Sequence, residues 1–252
     1  MIWDQLTSPK LAALDRAIPV FLPIAATEQH GPHLPVAADR LIGEHFMRRL
    51  NERLPDEVLI LPPVSVGCSE HHMEFVGTLT LTHATFIAQV TEILESVAAH
   101  GFTNLILSNS HGGNVGAMTV IMEAFGRRHP ACRVVWWSWW NLAAQRLLDL
   151  NETGPGGIGH ACEFETSLMM LIAPALVDMR AIVKGGNLPT FDWATSDLIR
   201  RSPAGLYRTM QAMTGNGVYG DPTAATAEKG EKITALVVDD MARIARELKG
   251  TG

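Results

Sequence analysis

Three separated stretches of this chain gather side chains that bind ions and move protons. Glu28-Gln29-His30-Gly31-Pro32-His33 is followed by Asp39, Ser110-His111-Gly112-Gly113-Asn114 lies far downstream, and His160-Ala161-Cys162-Glu163-Phe164-Glu165 further still. Mixed imidazole and carboxylate ligation suits zinc, manganese or iron(II), and one carboxylate such as Asp39 can bridge two ions. Two ions held roughly 3.5–4 Å apart activate a water and polarise a carbonyl together. Glycines after His111 let the backbone come close to a metal or a substrate. Each stretch alone has an ordinary reading. A histidine after a strand is commonly a hydrogen-bonded structural residue, Glu28 suits a surface loop, Asp39 a helix cap, and Gly112-Gly113 a turn. Their combination is what points to a metal site.

For these residues to meet, the elements that carry them must end in one cleft. Residues 18–26 form a short apolar run, the pattern of a buried parallel strand, and 58–61 and 104–108 repeat it. Residues 132–137 (CRVVWW) predict a fourth strand. Helical spacing marks 39–54, 85–100, 163–172 and about 224–248, and further helices are expected at about 112–129 and 141–150. Asp39 is placed to cap the first helix, and Gly101 to end the second. Residues 187–221 read as polar and rich in turns. Alternating strands and helices predict an α/β fold, a mainly parallel sheet with helices on both faces, in a single domain over 1–252. Ligands of such sheets bind beyond the carboxyl ends of the strands, where all three stretches fall.

Composition narrows the function. The 252 residues are 47% hydrophobic, enough for a sizeable core, and only 18% charged, which favours subunits that pack together. A net charge of −6 argues against a nucleic-acid partner, which needs a basic face. No apolar run is long enough to span a bilayer, so no membrane partner is expected. The opening residues MIWDQLTSPK lack a basic stretch followed by an apolar one, so no signal peptide is expected. Cys68, Cys132 and Cys162 are too scattered for a disulfide framework, which fits a reducing cytoplasm.

Four segments together resemble the creatininase (creatinine amidohydrolase) family. They are Thr27-Glu28-Gln29-His30-Gly31-Pro32-His33-Leu34-Pro35 with Asp39, Ser69-Glu70-His71-His72 with Phe75 and Gly77-Thr78, Ser110-His111-Gly112-Gly113-Asn114, and His160-Ala161-Cys162-Glu163-Phe164-Glu165-Thr166-Ser167. The resemblance runs in order over roughly residues 15 to 180. It implies a creatininase-like α/β fold and a hydrolase with two divalent ions per chain (zinc, manganese or iron). Glu28, Asp39 and His111 would hold one ion, and His30 with a bridging Asp39 the other. In creatininase a glutamate two residues past the third-strand histidine completes the second set. Gly113 stands there in this chain, so a replacement carboxylate is needed. Glu163 is the expected replacement, with Glu165 as the fallback, since Glu165 also suits a buried anion at a helix start.

The same resemblance makes His160 the residue that shuttles protons, a task that suits an imidazole near neutral pH. Ser69 matches a substrate-contacting serine, whereas Gly156-Gly157 stand where creatininase carries a Trp-Asp pair. That puts creatinine in doubt as the substrate and leaves the hydrolytic residues in place. The expected activity is hydrolysis of a C–N bond, other than a peptide bond, in a small cyclic or linear amide or lactam. A hydroxide held between the ions would attack the carbonyl, with His160 and Glu163 in catalytic roles. Ser69, His71 and Gly112 are the candidate substrate contacts. Hydrolytic opening of an inosose-type ring ketone and a non-catalytic relative are the alternatives. A homo-oligomer is expected, with the hexamer of creatininase as its pattern. The run Trp136, Trp137, Trp139 and Trp140 is expected in the core or a subunit interface rather than in a substrate wall.

Overall fold

A computed structural model describes residues 1–195, 197–200 and 202–250. Strands β1 (Pro19–Ile24), β2 (Leu59–Ile60), β3 (Asn104–Asn109) and β4 (Arg133–Ser138) form one sheet in the order β2-β1-β3-β4, every pair parallel. Both β1 and β3 are buried at all six positions, as strands covered on two faces must be. Two prolines in the central strand β1 are unusual, because proline cannot donate to a ladder. The carbonyls of Phe21 and Pro23 accept from Leu61 and Val64, so the odd-numbered positions face β2. The missing N–H groups of Pro19 and Pro23 therefore fall on the side where the partner strand is only two residues long.

Side-chain alternation along β1 sends Phe21 to one face and Val20, Leu22 and Ile24 to the other. Helices α1 (Ala38–Arg53), α4 (Glu163–Ile172) and α5 (Ala227–Gly250) cover the Phe21 face with Phe46, Leu50, Phe164, Leu168 and Val237. Helices α2 (His83–Ala99) and α3 (Val115–Arg128) cover the opposite face with Phe86, Val90, Ile121 and Phe125. Each such side chain, fully buried, contributes about 1.5–3 kcal/mol relative to exposure. The chain leaves β1 toward β2 on one side and later returns to β3 on the other. The carboxyl ends of β1 and β3 thus form the crevice where ligands of this architecture bind.

The structure departs from the sequence reading in three places. The helix expected at 141–150 is two short turns, Trp139–Leu142 and Ala144–Leu148, broken at Ala143 (φ −112°, ψ 27°). The break lets both Trp139 and Trp140 enter the interior. Ala37, not Asp39, holds the cap position of α1, and Asp39 turns its carboxylate inward. The turn-rich stretch contains a short helix, Met210–Met213, capped by the Thr209 hydroxyl.

One histidine outside the crevice makes stability depend on pH. Buried His45 in α1 donates from Nε2 to the Thr234 hydroxyl of α5 (2.9 Å), which itself donates to the Gly230 carbonyl. Its Nδ1 accepts from Arg48 (3.1 Å), so a proton there would face another donor. Burial, with Arg48 and Arg49 adding to it, holds this imidazole at about 4. Because that lies below the value of a free histidine, the unfolded chain binds the extra proton first as pH falls. Stability from this group is present above about pH 6.5 and drains as pH falls toward 4. The thermal midpoint gap between wild type and His45→Gln is expected to shrink between pH 7 and pH 5 in scanning calorimetry.

Candidate metal centre

Glu28 and His30 follow β1 directly, Asp39 sits in the first turn of α1, and His111 follows β3. All four are buried, and they converge. Nδ1 of His111 lies 3.1 Å from the Glu28 carboxylate and 3.3 Å from that of Asp39. The other Asp39 oxygen lies 3.3 Å from Nε2 of His30. The unused ring nitrogens are anchored by acceptors that fix the tautomers. His30 Nδ1 donates to the Glu28 carbonyl (3.0 Å), and His111 Nε2 donates to the Cys68 carbonyl (3.1 Å). Each ring thereby turns its second nitrogen inward, which offers a lone pair once the ring is neutral, as outer partners of metal-ligating histidines arrange. The Ser110 hydroxyl ties the two strand ends to α1 by donating to the Asp39 carbonyl.

His160 and Glu165 complete the cluster. His160 Nε2 donates to the Gln29 carbonyl (2.7 Å), which leaves Nδ1 facing Glu28 at 3.6 Å. Ala161, the one non-glycine residue with positive φ among those described (51°), bends the chain between His160 and α4. The side chains of His30, His160 and Glu165 offer ligand atoms within 4.8 Å of one another, as do Glu28, Asp39 and His111.

Glu163, expected to supply the replacement carboxylate, does not point here. Its side chain is turned to the other side of α4, paired with Lys229 of α5 and accepting from Thr153 Oγ1 (2.6 Å). Two helical positions are about 200° apart, so only one of Glu163 and Glu165 can face the crevice. Lys229 takes the first, and Glu165 is the carboxylate beside His30 and His160. The approach of α5 to α4 decides this, and no local signal in the sequence shows it.

Gly113 also finds its reason. A Cβ there would lie 2.1 Å from the Cys68 carbonyl oxygen and 2.5 Å from Nε2 of His111. No larger residue fits without moving the ring, and a glutamate is excluded in this backbone. Gly113→Ala is expected to weaken divalent-metal affinity about 10–100-fold by displacing His111, read by metal titration.

Electrostatics follow from burying three carboxylates together. Burial works to raise the Glu28 carboxyl, but the His111 ring outweighs it and the group lies below the usual range. Asp39 is likewise low, because His30 and His111 overcome its burial. Burial pulls His30 down, yet Asp39 beside it pushes the ring up to about 10. His160, by contrast, is held at about 3 by burial and by the charge of His30, so it is neutral. Burial lifts Glu165 to about 7. Protons on His30 and His111 thus balance Glu28 and Asp39, and a divalent cation supplies the same charge with both rings neutral. Glu28 Oε2, His30 Nε2 and Asp39 Oδ2 are buried without a hydrogen-bond partner. Orphaned inward lone pairs on hard and borderline donors fit divalent ions well.

The cluster forms the floor of a cavity of about 380 Å³. His71 and Gly112 line it; Ser69 does not, and its hydroxyl instead lies 3.2 Å from His111. Three further neighbours stand at the centre. Buried His72 lies 3.5 Å from Glu28 and accepts from Gln29, Trp140 forms a wall rather than core alone, and Arg208 comes from the turn-rich stretch. Burial raises the Cys68 and Cys162 thiols, which keeps both in the unreactive protonated form.

Comparison with known proteins bears on the family and the fold. The family model for creatininase (creatinine amidohydrolase) matches residues 4–245. The mycofactocin precursor peptide peptidase of Mycobacterium tuberculosis is 32% identical over 239 residues, covering 90% of this chain and 84% of that protein. The creatinine amidohydrolase of Pseudomonas putida is 29% identical over 262 residues, covering 98% of this chain and 95% of that one. A solved manganese creatininase superposes with a TM-score of 0.80 at 27% identity, covering 98% of this chain and 97% of its own. With the sheet order, the convergent histidines and carboxylates, and these likenesses in hand, the chain belongs to the creatininase family of hydrolases.

Proposed function

We propose that this protein is a divalent-metal-dependent hydrolase that opens an amide C–N bond. Glu28, Asp39 and His111 would hold one ion, and His30, Asp39 and Glu165 the other. The observation that carries this reading is the set of buried, unpartnered atoms Glu28 Oε2, His30 Nε2 and Asp39 Oδ2, aimed at one another beneath the cavity. When bound, such ions lower the pKa of water and polarise a carbonyl.

The chain's own residues supply the rest. His160 is neutral and fixed by Gln29, so its Nδ1 is free to take a proton and return it to a leaving nitrogen. Gly112, at the mouth of β3, brings backbone to the cavity without a side chain in the way. Trp140, Met210 and Met213 give the cavity an apolar wall, a low-dielectric side that strengthens the charges beside it. Likeness to a peptidase and to a creatinine amidohydrolase supports an amide substrate, peptide bonds included.

Protein purified without chelator is expected to carry two divalent ions per chain. Chelation abolishes turnover, and manganese or zinc restores it, in a screen of creatinine, formamides, lactams, short peptides and an inosose-type ketone. Less than one ion per chain, with no activity gained on adding metal, sinks the reading.

A further inference from the structure

Arg208 stands apart among the charged groups of the cavity. Of the described lining residues it is the one arginine or lysine, while Glu28, Asp39, Glu165 and Glu70 supply carboxylates. None of these reaches it, and no carboxylate among the described residues lies within ion-pair distance of its guanidinium. Other arginines of this chain, such as Arg40, Arg49 and Arg246, are paired with glutamates. Arg208 donates from Nη2 to the Ala212 carbonyl, which anchors one edge of the fork. Its Nη1 is buried with no partner at all. As the one cation on this wall, with no carboxylate of the chain paired to it, the guanidinium is placed to take an anionic group of a bound molecule. The planar fork matches a carboxylate better than any neutral group. Around it, Leu206, Tyr207, Met210 and Met213 make an apolar surface, and Trp140 also lines the cavity.

We propose that Arg208 binds the carboxylate of the substrate, which is therefore an amide bearing both a free carboxylate and an apolar side chain, such as an N-acyl amino acid or a peptide C-terminus. This rests on the amide-hydrolase reading above, and it adds the substrate class. Arg208 is a specificity-determining residue, held on a segment separate from the metal ligands.

Calorimetric titration of the manganese-loaded protein with N-acetyl-phenylalanine and N-acetyl-phenylalaninamide tests it. Wild type is expected to bind the acid at least about tenfold more tightly than the amide. Arg208→Met removes that preference, Arg208→Lys retains part of it, and both keep the wild-type manganese content. A wild-type ratio near one, or a ratio unchanged in Arg208→Met, overturns the proposal. Manganese content and turnover report separately on the metal centre, so failure of the hydrolase reading is distinguishable from failure of Arg208 as the anion partner.

Discussion

Replacing Asp39 with asparagine is expected to strip both halves of the metal centre at once. The Asp39 carboxylate reaches His30 with one oxygen and His111 with the other, each at 3.3 Å, so it is the group shared between the two proposed ligand sets. Asparagine keeps the shape, but it removes a negative charge and turns one oxygen into a donor facing an imidazole nitrogen. Ion content is expected to fall from two per chain to below one. Hydrolytic kcat/KM should drop at least about a thousandfold, the scale of losing several kcal/mol of charge stabilisation. Stability of the metal-free protein should fall, because Asp39 keeps His30 and His111 protonated and its loss leaves buried imidazoles without a counter-charge. Elemental analysis, kinetics and a thermal melt on the same preparation check all three. Asp39→Asn protein that retains two ions and full turnover contradicts the bridging role.

The second large effect concerns Glu163 and Lys229. Lys229→Met leaves the Glu163 carboxylate fully buried and without its cation. Breaking a buried pair from one side costs about 3–5 kcal/mol. For a chain of this size that lowers the thermal midpoint by roughly 10 °C. Glu163→Gln combined with Lys229→Met should recover part of the loss, since the glutamine oxygen can still accept from the Thr153 amide and hydroxyl while the buried charge is gone. Metal content separates the two acids. Glu163→Gln is expected to keep both ions, and Glu165→Gln to lose one. The opposite pattern would restore Glu163 to the metal centre. The pair also ties Glu152 and Thr153, in the loop after residue 150, to α4 and α5.

Much of this was legible in the residues. The apolar runs of β1 and β3 are buried on both faces, and burial on both faces removes polar alternation from a strand. Helices α2 and α4 fall where spacing placed them, because an amphipathic or apolar stretch has few other ways to bury its surface. Glu28, His30, Asp39 and His111 could be picked out because strand ends in parallel sheets are where side chains of distant segments meet. The expected choice of Glu163 over Glu165 went against the geometry, since both sit in the first turn of the same helix and both suit a helix N-terminus. Arg208 carried no signal at all, because it lies in a turn-rich stretch without periodicity.

The amino-acid sequence by itself determined the order of strands and helices and the donor set of the candidate centre, because periodicity and residue chemistry are local properties of the chain. Tertiary structure alone decided which carboxylate joins that set, which tryptophan becomes a wall, and where an unpaired guanidinium stands. Those outcomes depend on the approach of one element to another, Lys229 of α5 to α4 above all, and a helix rotation of 200° is invisible until its neighbour is in place.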